Sequence, residues 1–293
     1  MEYEGDLSLL CRLARGEGRI GALGLSGGNA GAEGCAQACA FESYGLTKFK
    51  VIGAISSFAG PAIYFAANML NKGASCYWEE CTTENFISFS IRRFLNGTTA
   101  DVGFLVNDVF RKEVRVEAIN RFPGDVVVGV TDWKTGRGHL INLKTAGHEL
   151  FDAVRATMAM PVLYRKPVIV NGQRKYDGAS AIPFPALELI KRWDLDGLII
   201  FANHPKDWRP KFGARIAEIA STFGMMPNRR RASLMRISRY ENGLKDLRES
   251  KTPHLILWGS GEITAFTRDA KKIKAVAKKA YNGTVELFKR AGI

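Results

Sequence analysis

The chain has 293 residues, 46% of them hydrophobic and 24% charged, enough for one large α/β domain or two small ones, and a composition that excludes disordered, collagen-like and disulfide-miniprotein classes. Its net charge of +13 is uneven, because from Pro205 onward there are 20 Lys and Arg against 8 Asp and Glu. Five cysteines (Cys11, Cys35, Cys39, Cys76, Cys81) in a long chain with no basic-then-apolar leader predict reduced thiols, a cytoplasmic address and idle sequons at Asn96 and Asn282.

In chain order, residues 20–25 read as an apolar strand running into the glycine-rich Ser26-Gly-Gly-Asn-Ala-Gly31, and an Ala-rich helix follows to about residue 44. Residues 49–55 are the next strand and 59–70 the next helix. The 21 residues between Lys50 and Lys72 are uncharged, a length that raises the question of a membrane span. Gly53, Ser56, Ser57, Gly60, Pro61 and Asn68 interrupt it, so it parses as a buried strand, a tight turn and a buried helix. Residues 73–120 read as helical and irregular, with 85–94 and 104–110 as helical candidates.

Residues 126–132 and 139–143 alternate around the turn at Lys134-Thr-Gly-Arg137 and predict a hairpin. A helix over 148–157 stops before Pro161. Strands at 167–170 and 173–176 flank Asn171-Gly172, a strong hairpin signal. Strands at 198–202 and 254–258 and a basic helix over 267–290 complete the chain. Strands alternating with helices predict a layered α/β sheet with antiparallel additions, with residues 1–19 as an N-terminal extension and 20–293 as one domain.

Two places carry chemistry. Ser26–Gly31 lies between a strand and a helix, where glycines let backbone N–H groups approach an anion. It has Ser26 where a dinucleotide fingerprint needs its first glycine, and the next strand lacks the acidic residue that would bind ribose. The second place is the strand-to-helix turn Ile55-Ser-Ser-Phe-Ala-Gly-Pro61. Cys35 and Cys39 are spaced as neighbours on a helical face, but no further ligand completes a metal site, and they read as buried thiols.

Together with Thr131-Asp-Trp-Lys-Thr-Gly136, Ala156–Pro161 and Tyr176-Asp-Gly-Ala179 followed by Ala181-Ile-Pro183, these segments give the chain its resemblance to the bacterial patatin-like phospholipase family. The resemblance covers about residues 20–290. It departs from the family pattern at the oxyanion loop, where Asn29 replaces a third glycine and the arginine is missing. It implies a three-layer patatin-like sheet with helices on both faces.

The turn at 55–61 admits three registers under the rule that a nucleophile elbow needs small residues two before and two after its apex. Ser56 at the apex has Ala54 before it but bulky Phe58 after it. Ser57 has Ala59 after it but β-branched Ile55 before it. Phe58 would have Ser56 and Gly60 at the small positions. Proline fits only the first helical turn, and Pro61 favours Ser57 over Ser56 as the expected nucleophile.

The resemblance implies a serine acyl hydrolase acting on carboxyl esters of lipids, with Asp177 as general base to Ser57 (Ser56 as the alternative nucleophile), an oxyanion site at Gly27, Gly28 and Asn29, and no metal or cofactor. It leaves His139, His148, His204 and His254 without a catalytic role. The alternative, set by Phe58 at the apex, is a catalytically degenerate fold that binds lipid or a partner without turnover. The basic C-terminal third, densest at 229–239 and at Lys271, Lys272, Lys274, Lys278 and Lys279, predicts peripheral contact with an anionic membrane rather than nucleic acid, against the plainer reading of solvated helix faces.

Overall fold

The apolar runs form the parallel centre of a mixed sheet. In the computed structural model, which describes residues 1–209, 222 and 224–293, β1 (Tyr3–Gly5), β2 (Ile20–Gly24), β3 (Val51–Ile55), β4 (Asp125–Asp132), β5 (Gly138–Asn142), β6 (Val168–Val170), β7 (Gln173–Asp177), β8 (Gly197–Phe201) and β9 (His254–Leu257) join in one sheet. Its order is β1-β9-β8-β2-β3-β4-β7-β6, with β5 beside β4. Strands β9, β8, β2, β3 and β4 are mutually parallel, and the rest pair antiparallel. The central strands are buried on both faces, which is why they read as continuous apolar runs instead of alternating ones.

Side chains from alternate strand positions feed two cores. On one face Ala22, Ile52, Val126 and Ile199 meet helices α2 (Gly31–Ser43), α3 (Ala59–Ala66), α5 (Leu150–Met158) and α9 (Ala270–Arg290). Between them lies α4 (Ile91–Leu95), one of several short helical segments over residues 70–121, and ahead of β2 stands α1 (Ser8–Arg15). On the other face Leu23, Val51, Val127 and Leu198 meet Leu189 of α6 (Ala186–Trp193) and Leu244 and Leu247 of α8 (Arg236–Glu249), which follows α7 (Pro227–Leu234). The chain is thus a three-layer α/β sheet with helices on both faces, as the sequence predicts.

Helix α2 is buried on every side because it lies between the sheet and α9. Small residues at the crossing, Ala36 against Ala277 and Ala280, let the two helices approach closely. Residues 1–19, expected as an extension, add β1 to the outer edge of β9 and place Leu9, Leu10 and Leu13 of α1 in the core.

The two dense basic stretches do not share a surface. Helices α7 and α8 pack on the turn at 178–180 and on α6, on one side of the sheet, while α9 packs on α2 on the other. Arg229 is buried, its guanidinium stacked over the Trp133 ring at 3.3 Å and facing Tyr176 at 5.5 Å. Part of the basic third, 210–221 and 223, lies outside the described residues.

Candidate active site

Sheet register places the two key side chains together. Strand β4 is longer than its neighbours, and β3 pairs with its first part, ending at Ile55 opposite Gly129. From the next position β7 takes over, with Asp177 opposite Val130. Since β5 occupies the other edge of β4 at the same level, β7 continues the line that β3 leaves. The first residue beyond β3, Ser56, therefore arrives beside the last residue of β7, Asp177. The Ser56 hydroxyl donates to Asp177 Oδ2 at 2.8 Å.

Ser56, not Ser57, is the apex. Its φ of +56° puts it in the left-handed region, which costs a non-glycine residue about 1–3 kcal/mol and is held only by its surroundings. Here its N–H donates to Thr157 Oγ1 at 3.0 Å, fixing the turn from α5. Ser57 sits one step into the following short turn, Ser56–Phe58, and its hydroxyl is buried with no hydrogen-bond partner among the described residues.

The expectation of Ser57 rested on Pro61, and the turn explains why that inference shifted by one. A 3₁₀ turn intervenes between β3 and α3, so Pro61 is the third residue of α3 even though the apex is Ser56. Lacking an N–H, Pro61 leaves the Ser57 carbonyl without its intrahelical donor, and the Tyr77 hydroxyl donates to that carbonyl at 2.8 Å.

Phe58 at the apex is likewise overturned, because its side chain points into the core. It is 2% exposed, stacked on Phe201 with ring centroids 5.5 Å apart. The room comes from Gly24 on the neighbouring strand, where an added Cβ would lie 1.8 Å from Phe58 Cδ1. The small residue the elbow demands is thus supplied by β2, at a position paired with Ala54 of β3.

Asp177 is buried, and desolvation pushes its carboxyl up to about 6. The Ala179 N–H, donating to Oδ1 at 2.8 Å, and the Ser56 hydroxyl pull the other way without cancelling it. The backbone is pinned as well, by its own N–H to Ala159 and by the Thr131 hydroxyl donating to its carbonyl at 2.8 Å. No histidine is among these partners. Asp132, by contrast, closes its turn by accepting from Lys134 N, Thr135 N and Lys175 Nζ, and these bonds hold its carboxyl down at about 2 against the opposing effect of burial.

The glycine-rich loop leads into α2 beside the two serines, and Gly28, with φ +55°, and Asn29 line the same cavity as Ser56 and Ser57. Asn29 does not present a free N–H. Its amide donates to the Ala265 carbonyl at 3.1 Å, and its side chain donates to the carbonyls of Thr267 (2.7 Å) and Cys81 (3.2 Å). Asn29 is thus a tether, and Asn203, which accepts from Gly34 N and donates to the Leu25 carbonyl, ties the segments on either side of the loop. Gly28 and Ser57 line the cavity beside Ser56, and an N–H that opens a helical turn has no intrahelical acceptor.

Beyond Ser56 runs a cavity of about 90 Å³ lined by Tyr64, Leu70, Phe86, Ile87, Leu105 and Phe110 among others, with Phe266 at its rim. Its wall is apolar and suits an acyl chain. Cys35, Cys76 and Cys81 also line it, and all five cysteines are free thiols. Among the described residues no group of three or more His, Cys, Asp or Glu is placed to hold a metal ion, and no helix is long and apolar enough to cross a membrane.

The residues that sequence reasoning missed are Gly24, Tyr77, Thr157 and Ala265. Of these only Thr157 lay inside a segment already singled out, Ala156–Pro161.

The family model described as patatin-like phospholipase matches residues 25–190, more than half of the chain. No curated protein matches it. Among solved structures, VipD from Legionella pneumophila is similar at 11% identity and a TM-score of 0.45, over 93% of this chain and 67% of that one.

Proposed function

The chain belongs to the patatin-like phospholipase family, and from that premise we propose that it is a serine acyl hydrolase acting on carboxyl esters of lipids through a Ser56–Asp177 dyad. The observation that carries this reading is the left-handed Ser56 with its hydroxyl 2.8 Å from a buried carboxylate raised to about 6. A carboxylate so raised is a stronger base than an exposed one and is still ionised at neutral pH.

In the first half-reaction Asp177 takes the Ser56 hydroxyl proton as Oγ attacks the ester carbonyl. The carbonyl oxygen becomes an oxyanion facing the Gly28 and Ser57 N–H groups. Collapse breaks the ester bond, Asp177 returns its proton to the leaving alcohol, and the acyl group remains on Ser56 with its chain along the apolar cavity. Asp177 then takes a proton from water as it attacks the acyl carbonyl; collapse breaks the acyl–Oγ bond, the proton returns to Ser56 Oγ, and the fatty acid leaves. The packing of Phe58 against Gly24 and Phe201, away from the apex, favours this reading over a degenerate fold that binds without turnover.

The test is covalent labelling with a fluorophosphonate, read by mass spectrometry, alongside hydrolysis of a short-chain p-nitrophenyl ester. A single label on Ser56, lost in Ser56→Ala and retained in Ser57→Ala, is expected. A label on Ser57, or none on folded protein, refutes the assignment.

A further inference from the structure

Among the described residues, the large apolar side chains most exposed to solvent gather at one place. Phe89 is 63% exposed, Ile91 73%, Phe94 51% and Leu95 71%, and α4, which carries the last three, buries none of its residues. Phe266, half exposed, stands edge-on to Phe89 with centroids 6.3 Å apart. This tip is continuous with the candidate active site, because Phe266 itself lines the cavity and Phe86 and Ile87, just ahead of Phe89 in the chain, line it too.

Cations edge the tip. Arg92, Arg165 and Lys166 are exposed and make no ion pair among the described residues, whereas the neighbouring Arg93 is paired with Asp101 at 2.9 Å and Arg268 approaches Glu84 at 3.9 Å. Arg165 stacks over the Phe94 ring at 4.8 Å and donates to the Phe94 carbonyl, so a cation is fixed beside the apolar tip.

We propose that residues 89–95 together with Phe266 form a bilayer-docking tip. Phe89, Ile91, Phe94 and Leu95 enter the headgroup–acyl boundary of an anionic leaflet while Arg92, Arg165 and Lys166 meet its phosphates. The proposal rests on the lipid acyl hydrolase reading, since docking there would let a lipid slide past Phe266 to Ser56 without crossing water. It places membrane contact at the cavity mouth, not on a surface shared by residues 229–231 and α9, which lie on opposite sides of the sheet.

Binding is tested apart from turnover by using Ser56→Ala protein and sucrose-loaded vesicles of phosphatidylcholine with and without phosphatidylglycerol. The parent is expected to sediment with the anionic vesicles. The triple variant Phe89→Ser/Ile91→Ser/Leu95→Ser, all at exposed positions outside the cavity, should partition at least about tenfold less, and Arg92→Gln, Arg165→Gln and Lys166→Gln should each cost roughly fivefold. A Trp at 91 should be quenched by bromine placed on the acyl chains. In the Ser56 enzyme the triple variant should keep its turnover of a soluble short-chain ester within about twofold and lose about tenfold on vesicle phospholipid.

Vesicle binding without turnover of any ester would sink the hydrolase reading and leave the docking tip standing. Equal partitioning of parent and triple variant, no binding of the parent to either vesicle, or loss of binding only when the lysines of α9 are neutralised would overturn the tip. So would a self-association of the parent that the triple variant abolishes, which would make this face a contact between copies.

Discussion

Asp177→Asn is expected to yield a protein that is more stable than the wild type at neutral pH and inactive. The Asp177 carboxyl titrates near 6 in the folded protein against an ordinary 3.8, so the folded chain holds its proton more tightly than the unfolded one. Between about pH 4 and 6 the folded form keeps a proton that the unfolded form has lost, and stability falls as pH rises through that window. At about 1.36 kcal/mol per pH unit, the ionised carboxylate costs about 3 kcal/mol above pH 6. Asparagine keeps the acceptor for Ala179 N–H, can donate to Ser56 Oγ, and carries no charge to desolvate. Urea unfolding at pH 7.5 should therefore show a gain of about 3 kcal/mol, and a melting scan a rise of roughly 5 °C. At pH 3.5 and below the gain should fade, because wild-type Asp177 is then largely protonated in both states. The same titration should appear in the wild-type enzyme as kcat/KM rising with an apparent pKa of about 6 and levelling above it. A variant less stable than wild type at pH 7.5, or a gain as large at pH 3.5 as at 7.5, would refute the reasoning.

Ser56→Ala should lower ester turnover by about three or more orders of magnitude while Ser57→Ala stays within about tenfold, measured on a soluble p-nitrophenyl ester; the reverse order would return the apex to Ser57. Gly24→Ala should destabilise by about 1–3 kcal/mol through overpacking against Phe58, and pairing it with Phe58→Leu should recover part of that loss in denaturant titrations, since contacting residues are not additive. Tyr77→Phe strips the donor from the buried Ser57 carbonyl and should cost about 1–3 kcal/mol, with unchanged stability counting against the role given to that hydroxyl. Thr157→Val should cost a similar amount by orphaning the Ser56 N–H, and kcat should fall further than KM rises because the apex is what it holds.

The sheet was readable because its strands are uninterrupted apolar runs and its turns carry specific residues. Asn171-Gly172 closes the β6–β7 hairpin with φ of +52° and +69°, and the alternation over 126–143 gives β4 and β5 their pairing. The place of Asp177, at a strand end before Gly-Ala, was readable as well. The apex was not, because the sequence of one turn cannot show that Phe58 has room across the sheet or that a 3₁₀ turn delays α3 relative to Ser56. Nor can it show that Asn29 spends its N–H on Ala265, a residue more than two hundred positions away. That the two basic stretches lie on opposite sides was hidden for a related reason: the charges cluster in sequence, but α8 and α9 are separated by β9, and the chain changes sides of the sheet there.

The fit of Phe58 over Gly24 bears on how such sites are recognised at all. A signature written as a string of adjacent letters treats the space around a nucleophile as the property of one peptide, and under that description Ser56 scores as a mismatch. In this chain the space belongs to two strands, so the rule is conditional: an aromatic residue two places after the apex is admissible where the facing strand has no side chain. Relatives with a small residue at the position of Phe58 are then free to vary at the position of Gly24, and those with an aromatic residue are not. Pairwise patterns of that kind, spanning the thirty-odd residues between two strands, would pick up hydrolases that single-segment signatures pass over as inactive.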